Sequence, residues 1–247
     1  MYLNIKLTKA TQGTKKPFII AHRGFSGKFC ENTFEAFEEA IACGADFIEF
    51  DVNRTKDGHL VIYHDYTIDG KFLKDMNLDE AKAIRIGNNQ RIPTLDEIVQ
   101  NFANVIGLYI EVKDRKIVEI LVDKVKDFPS VVIASFDHLV LRKVKEYDTG
   151  IKTSVLMGDV ILDPLPILKS LSADYFHPCY ESRSPEPDDL IDAEYVAYLQ
   201  HVGYGVISWA EDRVNILKNL INKNFNGIST NRPDIVFNLV NNHSSVA

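Results

Sequence analysis

From Phe18 almost to the C-terminus, short apolar runs alternate with amphipathic stretches. Nine runs read as strands: Phe18–His22, Phe47–Val52, Leu60–His64, Ile106–Lys113, Val131–Ser135, Lys152–Leu156, Tyr175–Pro178, Gly205–Trp209 and Gly227–Thr230. Helix signals sit between most of them. Asn32-x-x-Glu35 and Thr94-x-x-Glu97 read as capping boxes ahead of apolar runs. Phe34, Phe37 and Ile41 then share one helical face, and Gly44 stops that helix. Val118, Leu121, Val122 and Val125 form a similar stripe. Strands alternating with helices mean βα units and a parallel sheet.

One strand does not fit that rule. Val52 and Leu60 are too close for a parallel crossover, which needs about a dozen residues, and Asp57-Gly58 suits a hairpin turn. Leu60–His64 is therefore expected to fold back along the second strand as an antiparallel arm. The other eight strands close a (β/α)8 TIM barrel, a fold that takes roughly 250 residues; this chain has 247. An open doubly wound sheet would carry a Gly-rich phosphate loop after its first strand. His22-Arg23-Gly24 stands there instead. Tyr66–Gln90 and Glu181–Asp189 are the most loop-like stretches, the former a short insertion at 66–90. Neither is long enough for a domain, so residues 1–247 are read as one domain.

Composition narrows the classes. Apolar residues make up 45% and charged residues 26%, as in an ordinary globular protein. The net charge of −7 argues against a nucleic-acid partner. Cys30, Cys43 and Cys179 give neither a disulfide framework nor zinc spacing, which suits a reducing compartment. Met1–Lys16 carries lysines but no apolar run of signal-peptide length, and no stretch approaches a membrane span of about 18 apolar residues. The expectation is a cytoplasmic protein without a membrane span. Oligomeric state is not set by these features.

In a parallel barrel, chemistry is placed at the C-terminal ends of the strands. Glu49 and Asp51 are two apart and project to one side of their strand, while Ile48, Phe50 and Val52 project to the other. Apolar residues facing the helices leave both carboxylates facing the barrel mouth. Glu111 and Lys113 repeat the arrangement on a later strand. His22 and Arg23 end the first strand, and His64 and Asp65 end the arm. Three buried carboxylates need a positive partner. All-oxygen ligands suit Mg2+ or Ca2+ and not zinc. Three carboxylates and one dication sum to −1, and Arg23 and Lys113 bring the site to +1. Such a site attracts a phosphate anion to an acidic protein. Two histidines beside it suit general acid–base work, one accepting a proton and one donating.

These residues are similar to those of the glycerophosphodiester phosphodiesterase family. The resemblance is carried by His22-Arg23-Gly24, Glu31-Asn32-Thr33, Gly44-Ala45-Asp46-x-Ile48-Glu49-x-Asp51-Val52, Thr55-Lys56-Asp57-Gly58, His64-Asp65, Pro93-Thr94-Leu95-x-Glu97, Glu111-x-Lys113 and Arg232-Pro233-Asp234. They run in the family's order over residues 18–234. The resemblance implies a (β/α)8 fold and hydrolysis of small-molecule glycerophosphodiesters to glycerol 3-phosphate and an alcohol. It implies an acid/base pair at His22 and His64, metal ligands at Glu49, Asp51 and Glu111, and phosphate contacts at Arg23 and Lys113. Attack by the glycerol's own hydroxyl, through a cyclic phosphate, and attack by water both remain open. Two further readings are a lipid phosphodiesterase of the sphingomyelinase D type and a catalytically silent barrel that binds a phosphorylated metabolite.

The chain also departs from the family. The usual Thr-Val-Asn after the late tryptophan is here Ala210-Glu211-Asp212, and the usual Ile-Thr-Asp run is here Ser229-Thr230-Asn231. The segment from Tyr66 to Gly70 matches only loosely. These departures are expected to bear on the glycerol or alcohol side of the substrate and to leave the catalytic set untouched. Trp209 reads either as a glycerol-facing, substrate-binding wall or as a cap on the core. Asn32 reads as a helix cap, and Glu31 as a partner for Arg23 or the metal shell. His59, His138, His177, His201 and His243 read as ordinary loop or helix residues.

Overall fold

The computed structural model describes residues 16–242. The reading of the N-terminal lysines before Lys16 and that of His243 lie outside the described residues. The chain opens with β1 (Phe18–Ala21), β2 (Phe47–Arg54) and β3 (Leu60–Ile62). Two small hairpins follow: β4 (Thr67–Ile68) with β5 (Lys71–Phe72), and β6 (Arg85–Ile86) with β7 (Gln90–Arg91). Then come β8 (Gly107–Val112), β9 (Val131–Ser135), β10 (Lys152–Met157), β11 (Tyr175–Pro178), β12 (Gly205–Ser208) and β13 (Gly227–Thr230).

Among the described residues the main sheet runs β1-β13-β12-β11-β10-β9-β8-β2-β3, and a β1–β2 pairing closes it. All barrel pairings are parallel. Within this sheet, among the described residues, only β3 is antiparallel, with Val52 opposite Ile62 and Arg54 opposite Leu60. This is the expected (β/α)8 barrel with its hairpin arm. The insertion is more ordered than a loop. Besides its two hairpins it holds a helix, Leu78–Ala83, and Ile68, Leu73, Met76 and Ala81 pack on Val61 of the arm and on Ile92. Strands of two residues are too short to show periodicity in sequence. Four expected strands also end early, leaving His22, His64, Lys113 and Trp209 in the loops beyond β1, β3, β8 and β12.

The barrel is filled from one end. Phe18, Phe47 and Tyr175 each lie over a glycine at the paired position of the next strand: Gly227, Gly107 and Gly205. A Cβ at any of the three would overlap the ring. Phe18 contacts Phe47 and Tyr175 at ring separations of 5.4 and 6.0 Å. Above them Ile20, Tyr109, Val132 and Ile207 continue the interior. Ile48, Phe50 and Val52 are fully buried on the outer side, in the core shared with the helices. Alternation along β2 therefore turns Glu49 and Asp51 inward, above an apolar plug. No helix among the described residues is long and apolar enough to cross a membrane.

Candidate active site

Glu49, Asp51 and Glu111 converge at the barrel mouth. Asp51 pairs in register with Glu111 across β2 and β8. One oxygen of each of the three lies within 4.8 Å of the others. All three are buried. Glu49 Oε2 accepts the Arg23 backbone N–H at 2.7 Å, while its Oε1 is buried without a partner. Asp51 is held most firmly: Lys113 Nζ lies 2.8 Å from Oδ1, Asn32 Nδ2 donates to Oδ2 at 3.0 Å, and Arg23 Nε stands 3.4 Å away.

This crowding sets the charges. Burial opposes ionisation of Asp51, but Lys113 and Arg23 outweigh it and keep its pKa below the usual range. Burial and then Asp51 push Glu49 well above the usual carboxylate range. The same two causes, in that order, raise Glu111 to about 7. Burial and crowding thus oppose the charged forms of Glu49 and Glu111, while Lys113 and Arg23 favour that of Asp51. Lys113, despite its burial, is held charged by Asp51 and Glu111, and its Nζ also donates to the His64 carbonyl at 2.7 Å. Arg23 is clamped by both oxygens of Glu31, at 3.0 and 2.9 Å.

The turn that delivers these groups is sterically demanding. Arg23 sits at φ +56° and Gly24 at φ +78°. A Cβ on Gly24 would come within 2.7 Å of the Ala36 backbone. Gly24→Ala should therefore cost about 2 kcal/mol or more, from the left-handed backbone and from the clash. At about 2–4 °C per kcal/mol for a chain of this size, calorimetry should show a clear fall in melting temperature. An unchanged Tm would mean that the turn is free to relax.

The two imidazoles differ. His22 is buried, and its Nδ1 donates to Asn231 Oδ1 at 2.8 Å. Burial, then Arg23, lowers its pKa to about 4, so it is neutral at physiological pH. Trp209 meets it edge to face at 5.0 Å. His64 is more exposed, and its Nδ1 donates directly to the Asp65 carboxylate at 2.7 Å. Beside His64 a cleft of about 510 Å3 is lined by Tyr66, Glu111, Lys113, Phe136 and Asp137. A larger depression, about 830 Å3, opens at the opposite end of the barrel beside Lys16 and Asp46 and includes none of these groups.

Three sequence readings need correction. Asn32 is not the helix cap. Thr33 caps Phe34–Ala42, accepting from Ala36 N, while Asn32, at φ +57°, turns inward to Asp51. The Asn-x-x-Glu spacing hid this because Thr33 is an equally good cap one residue later. His177 is not an ordinary loop residue: it is fully buried in the barrel, 2.7 Å from the Tyr109 hydroxyl and 5.1 Å from Trp209. Nor do the departures leave the catalytic candidates untouched. Asn231 contacts His22, and Asp212 holds Asn231. The sequence signal was the exchange itself, since acid and amide trade places between the two departing runs.

A (β/α)8 barrel with this titratable mouth falls among the phosphoric diester hydrolases of that fold. More particularly, residues 22–235 match the glycerophosphoryl diester phosphodiesterase family, and the chain belongs to it. It is 33% identical over 246 residues to a glycerophosphodiester phosphodiesterase of Caldanaerobacter subterraneus subsp. tengcongensis, across 91% of this chain and 98% of that one. It is 28% identical over 238 residues to one from Bacillus altitudinis, across 87% and 95%. Among solved structures, a glycerophosphodiester phosphodiesterase from Parabacteroides distasonis superposes with a TM-score of 0.80 at 24% identity, covering 94% of this chain and 100% of that one. An Oleispira antarctica phosphodiesterase solved with sn-glycerol-3-phosphate gives 0.79 at 22% identity, covering 91% and 97%. At these identities the two structures speak for the fold alone.

Proposed function

We propose that this chain hydrolyses small glycerophosphodiesters to glycerol 3-phosphate and an alcohol with the help of a divalent cation. The observation that carries the reading is the buried Glu49–Asp51–Glu111 cluster, with His64 lining the same cleft as Glu111. The residues fit a cation. Glu49 Oε1 is buried without a partner, two of the three carboxylates resist ionisation, and every candidate ligand is an oxygen. That set suits Mg2+ or Ca2+. When bound, the cation would neutralise charge building on the phosphoryl oxygens. Arg23 and Lys113, already held in place by Glu31 and Asp51, orient the phosphate. His22, neutral and buried, takes the proton of the attacking hydroxyl. His64, its ring oriented by Asp65, protonates the departing alkoxide. Trp209 packs on His22 and walls the glycerol side, and the cleft beside His64 receives the alcohol.

Release of glycerol 3-phosphate from glycerophosphocholine, followed by a coupled assay with and without EDTA, tests this. Release that stops with chelation and returns with Mg2+ or Ca2+ is the expected result. Full activity in EDTA would contradict it. Proton linkage gives a second check. Glu111, with its pKa raised to about 7, must lose its proton to bind a cation. The metal concentration for half-maximal rate should therefore fall as pH rises from about 6 to about 8. A flat dependence would remove Glu111 from the ligand set.

A further inference from the structure

The end of β13 and the loop after β12 are joined by a compact set of hydrogen bonds centred on Asp212. Its Oδ1 accepts from Thr230 Oγ1 at 2.6 Å and from the Asn231 backbone N–H at 2.8 Å. Its Oδ2 accepts from Asn231 Nδ2 at 2.8 Å. An ionised carboxylate can only accept, so the Asn231 group facing it must be the NH2. The amide is thereby oriented, and its Oδ1 faces His22 Nδ1. An amide oxygen also only accepts. The proton of neutral His22 is therefore on Nδ1, and the lone pair is on Nε2. The Ser26 hydroxyl, 2.9 Å from the same Asn231 oxygen, and the Trp209 ring restrain the pair further.

We propose that Asp212, acting through Asn231, is a positioning residue that fixes His22 in its Nδ1–H form, so that Nε2 receives the proton of the attacking hydroxyl. This rests on the reading of His22 as the base. In the step, the hydroxyl O–H bond breaks, its proton goes to Nε2, and its electron pair forms the new P–O bond. Nδ1–H stays on Asn231 throughout, and the leaving oxygen takes its proton from His64. The arrangement differs from that at His64, whose carboxylate touches the ring directly. At His22 an uncharged amide stands between ring and acid, so orientation passes along the chain while the negative charge stays one link away.

Asp212→Asn makes the sharpest test. The substituted side chain can still accept from Thr230 and the Asn231 backbone, but it then presents NH2 to the Asn231 amide. That amide must turn over and offer its own NH2 to His22 Nδ1, which transfers the ring proton to Nε2. Nitrogen-15 NMR of histidine-labelled protein at neutral pH should show His22 protonated at Nδ1 in the wild type and at Nε2 in Asp212→Asn. The kcat should fall about 10²-fold or more, the scale of a lost general base, with KM changed less than about threefold. The reciprocal double variant, Asp212→Asn with Asn231→Asp, rebuilds the bond in the opposite sense and should restore both the Nδ1 proton and most of kcat. A wild-type His22 protonated at Nε2, or an Asp212→Asn protein with an unmoved proton and full kcat, would overturn the proposal. If His22→Ala stays active while the NMR result holds, the role given to His22 fails and the positioning by Asp212 stands.

Discussion

Replacing His22 with alanine should lower kcat by about 10²–10⁴-fold, the range for loss of a positioned general base. The size of the effect follows from how His22 is held. Its ring is buried, packed against Trp209 and bonded to Asn231, so no solvent-borne base can easily take its position. Burial and Arg23 keep it unprotonated well below neutral pH, which leaves it competent as a base across the physiological range. The barrel should survive the change, because the interior below is filled by aromatic and aliphatic side chains that do not depend on His22. Melting temperature and circular dichroism should therefore stay close to wild type while turnover collapses. Near-full turnover in His22→Ala would remove it from the reaction.

Glu49→Gln should have the second large effect, and in two directions. Loss of an outer partner of a metal ligand commonly costs 10–100-fold in affinity, so loss of a ligand should raise the half-saturating cation concentration by about 100-fold or more. In the cation-free protein the change should be harmless or stabilising. Glu49 sits beside Asp51 and Glu111, and its charged form is opposed first by burial and then by both neighbours. Glutamine keeps the shape and removes the source of repulsion. Titration calorimetry should show the lost cation binding, and a thermal melt in EDTA should show a Tm equal to or above that of the wild type. A lower Tm in EDTA, with cation binding intact, would mark Glu49 as structural.

The fold was legible where periodicity was long. Alternation along Ile48–Val52 is enough to place Glu49 and Asp51 inside, because the outer neighbours are all apolar. The short Val52–Leu60 connection with its Asp-Gly turn was enough to separate the arm from the barrel strands, and β3 does pair antiparallel to β2. Legibility ended where a residue's role depends on a distant partner. Asn32 reaches Asp51 across 19 positions, Asn231 reaches His22 across 209, and Tyr109 reaches His177 across 68. No local pattern encodes such contacts. A lone histidine or asparagine at a strand end looks the same whether it binds solvent or turns inward. The left-handed backbone of Arg23 and Asn32 was equally hidden, since neither residue type demands it.

The proposed reaction needs one cation held jointly by side chains of β2 and β8. Crystals soaked in Mn2+ or Ca2+ and measured for anomalous scattering test it directly. The predicted result is one peak within about 2.0–2.6 Å of an oxygen from each of Glu49, Asp51 and Glu111. A peak elsewhere, or no peak in crystals of an enzyme that turns over in EDTA, would contradict it.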